Sequence, residues 1–150
     1  MIKQRVYLDT SVLSALHDSA AAERQELTAR WWAGLSTIDP ATSEVTRIEI
    51  EQTPDADRKA AMLQSLASVT EFPLTDDMRR LAQRYIDAGV FTRSMENDAL
   101  HVAAAVISRQ NLIVSWNFRH LVNRRRRAAI NMLNAAARLP TIDIIAPPEM

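Results

Sequence analysis

Cysteine is absent from this 150-residue chain. That absence excludes thiol nucleophiles, disulfide scaffolds and thiolate zinc sites, and it suits a reducing compartment. Glycine is almost absent too, with only Gly34 and Gly89. A glycine-rich loop that cradles nucleotide phosphates therefore cannot be assembled. No "GxSxG" turn is present to present a nucleophilic serine. Long apolar runs are also missing. The start, "MIKQRVYLDTS", lacks a signal-peptide core, and the longest candidate elsewhere, "VAAAVI" at Val102 to Ile107, is far too short to cross a bilayer. The expectation is a soluble, cytoplasmic protein with no membrane partner.

Acids are missing from one stretch only. The net charge is zero, yet no carboxylate falls between Asp98 and Asp143. That interval carries Arg109, Arg119, Arg124, Arg125, Arg126, Arg127 and Arg138. The last third is thus a cationic surface, and such asymmetry points to a polyanionic partner. Apolar residues make up 47% of the chain, which rules out disorder and suits one domain over residues 1–150.

The pattern of elements is an alternation. Ile2 to Leu8 reads as a strand, and Thr10 opens a helix. A second helix spans about Ala20 to Leu35, with Leu27, Trp31 and Leu35 as its inward stripe. A strand follows near Thr37 to Thr42, although Pro40 argues against it. Ser43 can cap a helix that runs through Glu51. Arg58 to Ala67 is helical, and Val69 to Phe72 is a strand. Thr75, Asp76 and Asp77 start a helix that ends at Gly89. "MENDALHVAAAVISRQ" is the strongest helix, "LIVS" at Leu112 to Ser115 is a buried strand, Arg124 to Arg138 is a basic helix, and "TIDIIA" is a last strand. Such alternation predicts a parallel sheet covered on both faces.

Ligands of open α/β sheets bind beyond the carboxyl ends of the strands. Asp9 and Asn117 each lie just past such an end. Glu49 and Asp98 lie on helices that can start there. As a lone residue Asp9 would be an N-cap for the next helix. Three converging carboxylates would repel one another unless a divalent cation neutralised them, and oxygen donors suit Mg²⁺ or Mn²⁺. The outline is that of phosphodiester hydrolysis. A phosphatase with a nucleophilic aspartate would want a second aspartate two residues on, where Ser11 stands.

The segments "VYLDTSVL", "TSEVTRIEI", "NDALHVAAA" and "LIVSWNFRHL" resemble, in this order and spacing, the PIN-domain nuclease family. The resemblance implies a three-layer α/β/α sandwich and Mg²⁺- or Mn²⁺-dependent cleavage of RNA. It also implies a homodimer and, as in many members, a toxin with an antitoxin protein as partner. Its acidic positions fall on Asp9, Glu49 and Asp98, which would hold the ion, and its small hydroxyl position falls on Ser11. The fourth position is usually aspartate and here is Asn117, which lowers the negative charge. A nucleic-acid-binding or regulatory module with weak or no catalysis is therefore the rival reading. Arg119, Arg124, Arg125 and Trp116 are the candidate RNA contacts, with a solvated helix face and core packing as their bland counterparts. His101, one turn beyond Asp98, and His120 read as packed, hydrogen-bonded histidines.

Overall fold

The computed structural model describes residues 2–150, and in it the alternation becomes one five-stranded parallel sheet. The strands are β1 (Arg5–Leu8), β2 (Asp39–Ser43), β3 (Thr70–Phe72), β4 (Leu112–Val114) and β5 (Asp143–Ile145), in the order β3-β2-β1-β4-β5. Seven helices join them: α1 (Thr10–Leu16), α2 (Ala22–Ala33), α3 (Glu44–Glu51), α4 (Ala56–Leu66), α5 (Asp76–Asp87), α6 (Glu96–Ile107) and α7 (Arg124–Ala136).

Side-chain alternation along the two central strands separates the core into two layers. Val6, Leu8, Leu112 and Val114 face one side, where they pack with Val12, Leu13, Met62 and Leu66 of α1 and α4. Tyr7 and Ile113 face the other side, against Leu81 and Tyr85 of α5, Val102 and Val106 of α6, and Ile130 of α7. Each wholly buried aliphatic side chain here contributes about 1.5–3 kcal/mol by leaving water. The result is a three-layer α/β/α sandwich.

Three local readings needed adjustment. β1 begins at Arg5, and Ile2 is 99% exposed, because no neighbouring strand extends far enough to cover it. Pro40 does sit within β2. The ladder to β3 starts only at Ala41, so the missing N–H costs no bond on that side. α2 ends at Ala33, so Leu35 lies beyond it in a short 3-10 turn; Leu27, Trp31 and Leu35 are only partly buried, and Thr28 is the residue of α2 that is wholly enclosed.

Helix ends follow the sequence chemistry. Ser43, Thr75 and Asn123 each accept a first-turn amide at the start of α3, α5 and α7. Beyond α5, Gly89 takes φ +78°, the left-handed conformation that closes the helix.

Candidate active site at the carboxyl edge of the sheet

From β1 the chain winds outward to β2 and β3, whereas from β4 it winds the opposite way to β5. The crossovers therefore diverge between β1 and β4, and a crevice opens at their carboxyl ends. Asp9 stands at that point. Its amide donates to the Val114 carbonyl at 3.4 Å, which ties the two strand ends together.

Asp9 occupies the N-cap position of α1, yet its side chain caps nothing. The carboxylate turns instead to two hydroxyls. Ser11 Oγ donates to Oδ1 at 2.5 Å and Ser115 Oγ donates to Oδ2 at 3.0 Å. Both hydroxyls are themselves held. Ser11 Oγ accepts the Trp116 amide at 2.8 Å, and Ser115 Oγ accepts the Asn117 amide at 2.9 Å. Asp9 is only 4% exposed, and both hydrogen-bonding partners are neutral. Burial pushes its pKa up to about 6, against the opposing effects of the His101 charge and the two hydroxyls, while Glu49 reinforces the rise.

Glu49 has a different environment. Its Oε1 accepts from Thr10 Oγ1 at 2.6 Å and meets His101 Nε2 at 2.6 Å. His101 is buried, and its Nδ1 lies 2.8 Å from the Tyr7 hydroxyl, which lies 2.7 Å from Ser43 Oγ. For His101, burial favours the neutral ring, but the Glu49 hydrogen bond and charge, joined by Asp9 and Asp98, outweigh it and raise the pKa. For Glu49, burial alone would raise the pKa. The His101 contact and the Thr10 hydroxyl overcome that and hold it below the ordinary range.

The half-buried Asp98 lies in the first turn of α6 and pairs through Oδ2 with His120 Nδ1 at 2.9 Å. Asn117 Oδ1 accepts the His120 amide at 2.9 Å, so this side chain holds the loop that carries His120. The charges of all three carboxylates act on the imidazole of His101, which makes contact only with that of Glu49. Among the described residues, however, no three Asp, Glu or His side chains are gathered tightly enough to hold one metal ion. Several residues of this arrangement carry no signal in the sequence alone: Ser115, Thr10, Tyr7, and the fact that His101 serves Glu49 and not its helix neighbour Asp98. Tyr7 and Thr10 lie in "VYLDTSVL" and Ser115 in "LIVSWNFRHL", but nothing local says what they touch.

The basic residues divide into two groups. Arg126 donates to the Val90 and His120 carbonyls and lies over the Phe91 ring, and Arg127 pairs with Asp143. Both are structural. Arg119, Arg124 and Arg125 are exposed. Trp116 is 8% exposed, and its indole N–H donates to Thr28 Oγ1 at 2.8 Å. It is built into the core, and the neighbouring Phe118, 48% exposed, is the accessible aromatic at this edge.

A parallel five-stranded sheet in this order, with a buried aspartate at its switch point, defines the class of fold. The family model of the PIN domain matches residues 6–125, and the chain belongs to the PIN domain family. Solved structures with the same fold include VapC20 of Mycobacterium tuberculosis, described as a sarcin-ricin loop cleaving toxin. It has 18% identity and a TM-score of 0.60, over 83% of this chain and 94% of that one. DNA-bound VapBC from Salmonella typhimurium matches with 18% identity and a TM-score of 0.57, over 98% and 99%. VapBC2 from Rickettsia felis, bound to a promoter fragment, matches with 12% identity and a TM-score of 0.57, over 97% and 98%. None of the curated proteins compared matches the chain. No helix among the described residues is long and apolar enough to cross a membrane.

Proposed function

We propose that the chain is a divalent-metal-dependent ribonuclease that hydrolyses phosphodiester bonds of RNA, and that it acts in the cytoplasm as the toxin of a toxin–antitoxin pair. The observation that carries this reading is Asp9: a buried carboxylate at the switch point that caps no helix and meets only hydroxyls. Such a charge is costly unless a cation neutralises it. The donor chemistry fits Mg²⁺ or Mn²⁺, because every candidate ligand is an oxygen. Asp9 would hold the ion directly. Asp98 and Glu49 would reach it through water, since Mg²⁺ keeps several waters and takes few carboxylates. When bound, such an ion supplies positive charge to a phosphoryl oxygen and acidifies a water.

The chain's own side chains do the positioning. Ser11 and Ser115 fix both oxygens of Asp9, and Ser11 also ties Asp9 to the strand end of β4. His101 and Thr10 keep Glu49 ionised and pointed at the crevice. His120, set by Asn117, orients Asp98. Arg119, Arg124 and Arg125 offer phosphate contacts beside an acidic pocket. Partnership with an antitoxin and assembly as a homodimer are part of the proposal, and the similar structures of toxin–antitoxin complexes support the former.

One observation favours a second reading, a nucleic-acid-binding module without efficient catalysis. Asn117 stands where a fourth acid would, and Glu49 already has an internal partner in His101. Cleavage of labelled RNA in Mg²⁺ or Mn²⁺ separates the two. The nuclease cuts, and Asp9→Asn stops it. RNA bound and left intact by wild-type protein would establish the binding module.

A further inference from the structure

Beside the Asp9 crevice lies a groove that none of the carboxylates uses. Its inner part, about 300 Å³, is lined by Ser11, Ser14, Asp18, Arg24, Trp116 and Asn117. Its outer part, about 440 Å³, shares Ala21, Arg24 and Trp116, is also lined by Glu23, and continues to Leu27. The two parts form one channel that starts at the proposed reaction centre and runs along α2.

The wall of this channel is built with care for one side chain. The Arg24 guanidinium lies over the Trp116 ring, 4.9 Å from its centroid. Thr28, wholly buried one turn further along α2, accepts the Trp116 indole N–H at 2.8 Å and donates to the Arg24 carbonyl at 2.6 Å. The ring is therefore held in position with the arginine over it. Arg24 is exposed and, among the described residues, makes no ion pair, whereas Asp18, in the lining of the same groove, faces Arg58 at 3.6 Å. An exposed guanidinium over an indole offers a planar cationic plate to the groove.

We infer that this plate is a nucleotide subsite, at which one unpaired base of RNA stacks on Arg24 while its phosphate reaches toward Ser11 and Asn117. Planar guanidinium faces accept bases of single strands, and the cation complements the adjacent phosphate. The wide apolar floor of Ala21 and Leu27 suits a base and not a hydrated ion. A duplex cannot offer a base edge-on to such a channel, so the subsite selects single-stranded or looped RNA at the position next to the cleaved bond. This subsite rests on the ribonuclease reading of the Asp9 crevice.

The test measures binding of a fluorescein-labelled single-stranded RNA dodecamer in EDTA, which keeps binding apart from cutting. Arg24→Ala should weaken it roughly tenfold, the scale of one stacked base. Arg24→Lys keeps the charge and loses the plane, so it should behave like Arg24→Ala. A blunt-ended duplex of the same length, which has no unpaired base, should be insensitive to both changes. Affinity restored by Arg24→Lys would overturn stacking. An RNA affinity indifferent to both substitutions would overturn the subsite and leave the channel to a peptide segment, while cleavage by the same protein would still uphold the nuclease. If wild-type protein neither binds nor cuts the RNA, both assignments fall together. Trp116 is part of the core, so Phe118→Ala serves as the neighbouring aromatic control and should leave the Arg24 effect unchanged.

Discussion

Asp9 and Glu49 stand at the same edge of the sheet and are treated in opposite ways. Glu49, on α3, is matched by an imidazole from inside the chain, and that imidazole is backed in turn by Tyr7 and Ser43. Asp9, more deeply buried, receives two hydroxyls and no cationic hydrogen-bond donor. The fold could have neutralised Asp9 as it neutralised Glu49, and it did not. On the proposed reading, Asp9 is the position whose charge a bound cation completes, and Glu49 is one fixed in its ionised form beforehand.

The largest effect that can break this contrast is on turnover. Asp9→Asn keeps the size of the side chain and removes its charge, so RNA cleavage should fall on the order of a thousandfold, the loss expected when an interaction made in the transition state disappears. The fold should persist, as judged by an unchanged circular dichroism spectrum. Cleavage within a few fold of wild type would erase the distinction between the two carboxylates.

His101→Ala attacks the other half of the contrast. It leaves the Tyr7 hydroxyl and the Glu49 carboxylate without their shared partner, and should cost about 2–4 kcal/mol in urea unfolding. A loss under about 0.5 kcal/mol would mean that the pair contributes nothing.

The pH dependence is opposite in sign for the two groups. Asp9 has a folded pKa near 6, above its ordinary 3.8, so its favourable contribution is complete below about pH 4 and is lost as pH rises through 6. Glu49 is held below its ordinary range, so its contribution is present above that range and is lost as pH falls. In EDTA, the stability gained by Asp9→Asn should therefore grow by roughly 2–3 kcal/mol between pH 4 and pH 7. A difference that stays flat over that range would show that Asp9 bears no burial cost.

The smallest effect concerns the exposed arginines. Arg124→Ala and Arg125→Ala should each weaken RNA binding severalfold and lower the slope of log affinity against log salt by about 0.7. Arg126→Ala should change stability instead, since its guanidinium holds the Val90 and His120 carbonyls.

Much of this was legible in the chain itself. The β-α alternation is carried by short apolar runs such as "LIVS", and the caps at Ser43 and Thr75 are local chemistry. The strand order was not legible, because nothing local distinguishes β4 pairing with β1 from β4 pairing with β3. The positions of Asp9 and Asn117 follow from where strands end. What each of them touches does not. Helix capping and ion binding place an aspartate at the same position, and only the direction of the Asp9 side chain separates them. The His101 contact joins residues 52 positions apart, and helix spacing suggested Asp98 as its partner. Trp116 looked available for stacking on a base, but its indole N–H reaches from the loop after β4 to Thr28 on α2.

Calorimetric titration of Mn²⁺ into wild-type and Asp9→Asn protein at neutral pH addresses the central claim most directly. Wild type should bind one ion with measurable heat, and Asp9→Asn should bind none over the same concentration range. Equal binding by the two proteins would show that the buried charge of Asp9 is not what draws the metal.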